Sequence, residues 1–150
     1  MADLELRSVE KVYGGGFKAV HGIDLTVKDG EFIELAMMAN RVGHNAIIVI
    51  ESLKEVETII KVHTRTGLKP MLGVRIKLTH HIQGKWHESS GDRSTFGLNT
   101  LQLVKMIELL RQAILLDCLI LQHCHLGSQI PYIIDIRHYV SEACRYFTVL

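Results

Sequence analysis

His123 and His125 stand two positions apart on either side of Cys124, and Cys118 lies a few residues earlier. On an extended segment, residues at period two share a face, so the imidazoles point together and, with the thiols nearby, suggest zinc. That spacing matches no structural zinc pattern, so no metal site is assigned. Arg75 closes a short apolar run that reads as a strand, and a lone arginine there is ordinarily one half of a structural ion pair. His80, His81 and His87 fall in a polar stretch without period, where solvated side chains are the plainer reading. Tyr13 precedes Gly14, Gly15 and Gly16, yet the sequence contains no Gly-x4-Gly-Lys-Ser/Thr. Without those backbone N–H groups and that lysine, nothing cradles a nucleotide's phosphates.

Composition narrows the field further. The 150 residues are 47% hydrophobic and 22% charged, as in an ordinary globular protein. Lys and Arg number 17 against 16 Asp and Glu, a formal charge of +1, so there is no global positive field for nucleic acid or anionic lipid. The longest apolar stretches fall short of the roughly 18 residues a membrane span needs, so the expectation is a soluble chain with no membrane partner. Three cysteines form no framework, and the first residues lack the basic-then-apolar order of a secretion signal. A reducing cytoplasm is the expected location.

The elements that must position these residues follow from periodicity. Residues 3 to 12 and 21 to 28 alternate polar and apolar around the Gly14–Gly16 turn, which predicts a two-stranded β unit. From Phe32 to Ala39 the spacing turns helical and ends before Gly43, and Asn45 to Ile50 reads as a buried strand. Ser52 with Glu55 predicts a capped helix ended by Gly67, followed by a strand over Met71 to Ile76. Thr79 to Thr95 reads as a functional or mobile loop. Asn99 with Gln102 opens another helix, Cys118 to Cys124 is a third apolar strand, and a last helix is predicted from Asp135 onward. The fold class is therefore α/β: about three parallel strands with helices packed outside, preceded by a hairpin-like segment. Periodicity does not choose between a small open sheet and part of a barrel.

Four strings occur in order: Leu72-Gly-Val-Arg-Ile-Lys-Leu78, Gly84-Lys-Trp-His-Glu-Ser-Ser-Gly91, Ser94-Thr-Phe-Gly-Leu98 and His123-Cys-His-Leu-Gly-Ser-Gln129. Over about residues 28 to 150 the chain resembles the biosynthetic arginine decarboxylases, pyridoxal-phosphate enzymes built on an alanine-racemase-like (β/α)8 barrel. The resemblance implies a partial barrel over residues 31–150, pyridoxal phosphate as cofactor and arginine as substrate. It also implies that His125 stacks on the cofactor ring, Ser128 helps hold the phosphate and Arg75 lies near the cofactor. Cys124 stands where the family has an aromatic, and Thr95 where it has a lysine near the subunit boundary. The family's cofactor-linking lysine has no counterpart here, because none of Lys11, Lys18 or Lys28 stands in its context. The later glycine loop and the carboxylate for the pyridine nitrogen would fall beyond Leu150.

The first 30 residues are similar instead to the start of a sugar-importer ATP-binding-cassette subunit, through Leu4 to Tyr13, Lys18 to Leu25 and Asp29 to Phe32. In that family Tyr13 would be the aromatic that stacks on adenine, and a phosphate loop would follow Phe32. The two resemblances meet at Lys28 to Ile33, as in a fusion. The expectations are a decarboxylase fragment, inactive alone, with homo-oligomers or association through open barrel edges. The alternatives are a truncated ATP-binding subunit, or a non-catalytic partner of a full-length decarboxylase.

Overall fold

A computed structural model of the chain describes residues 4–28, 30–78, 96–126 and 130–148. Ser128 and the predicted loop between Thr79 and Thr95 lie outside the described residues. The chain opens with β1 (Leu4–Val12) and β2 (Lys18–Val27), paired antiparallel. Their turn is closed by the Tyr13 N–H donating to the Phe17 carbonyl at 2.9 Å, with Gly15 and Gly16 at φ of +93° and +80°. Residues with a Cβ take that conformation only at a cost, which is why glycine stands at both of these positions. Among the described residues the hairpin is a sheet of its own, with no ladder to the later strands.

Beyond it the order is α1 (Glu31–Arg41), β3 (Ile47–Ile50), α2 (Leu53–Thr66), β4 (Met71–Arg75), α3 (Thr100–Gln112), β5 (Leu119–His123) and α4 (Ile133–Phe147). The capping boxes predicted at Ser52 with Glu55 and at Asn99 with Gln102 both form, satisfying backbone donors that the first turn leaves open. Helix α4 starts two residues before the predicted Asp135, because its N-cap, Tyr132, makes no side-chain bond and so gives no polar signal. Between α1 and β3, the Asn40 side chain donates to the Ala46 carbonyl at 2.9 Å and accepts from the Ala46 N–H, standing in for a strand partner.

The three later strands form one parallel sheet in the order β3-β4-β5. Ile50 pairs with Val74, Val74 with Gln122 and Arg75 with His123. A shift between Leu72 and Gly73 leaves Ile120 unopposed. One face of this sheet is covered by helices: Ile50, Leu72, Val74 and Ile76 form a single core with Val56 and Ile59 of α2 and Met106 and Leu110 of α3. Burying each such side chain contributes about 1.5–3 kcal/mol. Among the described residues no helix covers the other face. There Ile47 and Leu121 keep 38% and 39% of their surface exposed on either side of Gly73, whose missing side chain lets Leu121 close in. In a closed (β/α)8 barrel, the face away from the helices is the interior. The sheet, its outer helices and the leading hairpin are thus the predicted α/β architecture.

Candidate functional site

Parallel strands end on the same edge, so β3, β4 and β5 bring Glu51, Arg75, His123 and Cys124 together although they are far apart in sequence. Arg75 Nη1 donates to Glu51 Oε1 at 2.9 Å, and the two side chains are 18% and 31% exposed. The guanidinium carbon lies 5.4 Å from the centroid of the Phe96 ring, within reach of a cation–π contact. The backbone is pinned as well. The Leu98 N–H donates to the Arg75 carbonyl, the Lys77 N–H to the Leu98 carbonyl and the Ile76 N–H to the His123 carbonyl, all at 2.8–2.9 Å. Glu51 is held from its other side, because Glu55 Oε2 accepts from the Glu51 N–H at 2.7 Å while completing the cap of α2.

Alternation along the strands separates the candidate side chains. His123 is the register partner of Arg75 and shares its open face. His125 follows two positions later and is exposed. Cys124 points the other way, toward α4, where it is hydrogen-bonded to the buried Tyr139. Burial raises the Cys124 thiol above its usual range, although the bond from Tyr139 opposes the shift. The Tyr139 hydroxyl is pushed far up, first by burial and then by the Cys124 thiol beside it, against a smaller opposing pull from Arg75. Imidazoles and thiol therefore do not converge, and Arg75 forms the ion pair that a strand-end arginine ordinarily makes.

Sequence reasoning singled out Arg75 and His125, and the structure places both at the C-terminal edge of neighbouring strands. It missed Glu51, Phe96 and Tyr139, whose contacts to Arg75 and Cys124 are not local. It also missed Lys77, half-buried two residues beyond Arg75, which the alternation puts on the same side. The signal was available for Glu51: both it and Arg75 end apolar runs in consecutive strand–helix units.

The family described as "Pyridoxal-dependent decarboxylase, pyridoxal binding domain" matches residues 9–150. The chain belongs to this family. Among similar pyridoxal-dependent decarboxylases, the biosynthetic arginine decarboxylase of Shewanella piezotolerans is 44% identical over 123 residues, 82% of this chain and 19% of the relative. Biosynthetic arginine decarboxylase 1 of a Synechocystis strain is 46% identical over 123 residues, with 82% and 18% covered. The crystal structure of the biosynthetic arginine decarboxylase of Campylobacter jejuni superposes with a TM-score of 0.63 at 33% identity, covering 78% of this chain and 18% of that one. The chain thus spans about a fifth of the length of these pyridoxal-dependent relatives. The donors at the strand ends suit the polar rim of pyridoxal phosphate in kind: a guanidinium that is 18% exposed, able to meet an anionic oxygen, and an exposed imidazole just beyond the end of the next strand.

Proposed function

We propose that this chain is the cofactor-facing part of an arginine decarboxylase barrel, from a protein that converts arginine to agmatine and carbon dioxide in polyamine biosynthesis in the cytoplasm. The observation that carries the reading is the meeting of Arg75 with the His123–His125 segment at the C-terminal ends of adjacent parallel strands, where barrel sites gather. When bound, pyridoxal phosphate supplies the conjugated sink for the electron pair released with the α-carboxylate. Arg75 binds at its rim, His125 lies on the ring, and Ser128 contributes a hydroxyl to the phosphate.

The 150-residue chain by itself is inactive in this reading. A decarboxylase of this kind needs a linking lysine, a phosphate anchor, a stacking group and an acid at the pyridine nitrogen, and these act as a unit. Only the stacking group and part of the anchor are matched. The leading hairpin resembles an ATP-binding-cassette start in this reading and carries no phosphate loop; among the described residues it pairs only with itself, and the decarboxylase family match reaches into it from residue 9. A non-catalytic role, docking on a full-length decarboxylase, is favoured by the outer edges of β3 and β5, which pair with no other strand among the described residues. Retention of the chain by immobilised full-length enzyme, against a chain with Lys replacements on β5, separates the two.

The test is titration with pyridoxal phosphate followed by absorbance, borohydride trapping with lysine mapping, and an arginine decarboxylation assay. The expected result is weak saturable binding that falls in Arg75→Met and His125→Ala, no single lysine trapped, and no carbon dioxide released. Binding unchanged in both variants overturns the site. A single trapped lysine, Lys77 for instance, with turnover that disappears in His125→Ala, overturns the inactivity.

A further inference from the structure

We infer that Glu51 and Phe96 are positioning residues that clamp the Arg75 guanidinium so that its remaining donors face a cofactor anion. The inference rests on reading the strand ends as the cofactor site.

Arg75 is restrained on three sides. Glu51 takes one guanidinium donor at 2.9 Å, the Phe96 ring lies 5.4 Å from its central carbon, and Gly97 packs against its stem. Free arginine side chains hold many rotamers, and ordering one on binding weakens the complex. A guanidinium carries five donors in a rigid fork, so engaging one through Glu51 sets the direction of the others. Glu51 can do this because it is itself held, through its N–H, by the Glu55 carboxylate that caps α2. The orientation of Arg75 is thus referred back through Glu51 to the first turn of a helix whose inner face packs into the core.

The opposing effect of Glu51 makes the inference testable by sign. Its negative charge offsets that of Arg75, so if charge were all that mattered, Glu51→Gln would tighten the binding of any anion. Positioning predicts the reverse for a ligand that must meet the fork in one orientation. In titrations with pyridoxal phosphate, Glu51→Gln and the charge-preserving but shorter Glu51→Asp are each expected to weaken binding about tenfold, and Phe96→Leu less. Inorganic phosphate, which has no preferred face, should bind Glu51→Gln no more weakly than the parent chain. Tighter or unchanged pyridoxal phosphate binding by Glu51→Gln overturns the inference.

A second readout does not need the cofactor. Phenylglyoxal modification, mapped by mass spectrometry, should be slow at Arg75 in the parent chain. It should be at least fivefold faster in Glu51→Gln and Phe96→Leu, with the rate at Arg65, paired with Glu34, unchanged as evidence that the fold is intact. Equal Arg75 rates in all three chains overturn the clamp. Absence of pyridoxal phosphate binding by the parent chain overturns the cofactor reading instead, and the modification rates still decide the clamp.

Discussion

Gly97 lies directly against Arg75: a Cβ on Gly97 would stand 3.0 Å from the Arg75 carbonyl oxygen and 3.2 Å from its Cγ. Gly97 also has a φ of +88°, outside the range that other residues favour. Gly97→Ala therefore adds both a clash and backbone strain. The expected cost is about 1–3 kcal/mol, read as a lower denaturant midpoint, together with faster phenylglyoxal modification of Arg75. An unchanged midpoint and rate would show that the segment relaxes without loss.

Titration of Cys124 gives a pH test. Burial raises its thiol, so the folded chain holds that proton to higher pH than an unfolded one, and the thiolate forms only above the ordinary value of about 8.5. Stability linked to this group is full below that value and falls as pH rises through the shifted one. Iodoacetamide should label the exposed Cys144 first, with the inflection for Cys124 displaced upward. The Tyr139 hydroxyl lowers the Cys124 value by donating to the thiolate, so Tyr139→Phe should move the inflection further up. Movement down would mean that the bond favours the thiol.

Core and cap substitutions should differ in size. Met106 is completely buried within the single core, and Met106→Ala is expected to cost about 2–5 kcal/mol through lost contact and a cavity. Ser52→Ala removes one cap acceptor, made at 3.4 Å, and should cost about 0.5–1 kcal/mol. Chemical denaturation of both variants checks the ranking; a larger loss at Ser52 would show that the cap also fixes Glu51.

Self-association is the expected behaviour in solution. Among the described residues, the sheet's open face, its two outer edges without strand partners and the 55% exposed Ile120 on β5 leave apolar and hydrogen-bonding surface uncovered. Gel filtration should show oligomers that shift toward smaller species in Ile120→Lys. Leu101→Lys, at an 82% exposed position of α3, should leave them unchanged. A sharp monomer peak with a cooperative melt would show that the core closes unaided.

Local signals carried most of the element order. Ser52 with Glu55 and Asn99 with Gln102 marked helix starts because capping acts over three residues, and Asn45 to Ile50 and Met71 to Ile76 marked strands by their apolar density. The contacts that build the site are of another kind. Glu51 and Arg75 are 24 positions apart and Cys124 and Tyr139 15 apart, so their meeting depends on which strands lie side by side and which helix covers them. Nothing local encodes that. Likewise Asn40 read as an ordinary helix residue, because its partner, Ala46, contributes only backbone.

The spacing of strand partners has a kinetic consequence. Ile50 and Val74 meet across 24 residues, most of them already ordered as α2, whereas Val74 and Gln122 meet across 48. Closing the longer loop costs only about 0.6 kcal/mol more for the doubling, but the shorter one is also prepaid by a capped helix. The β3–α2–β4 unit is therefore expected to form first, with β5 adding to it, an order that folding and unfolding rates of variants in each element would check. Substitutions in α2 should slow folding, while those in β5 should chiefly speed unfolding.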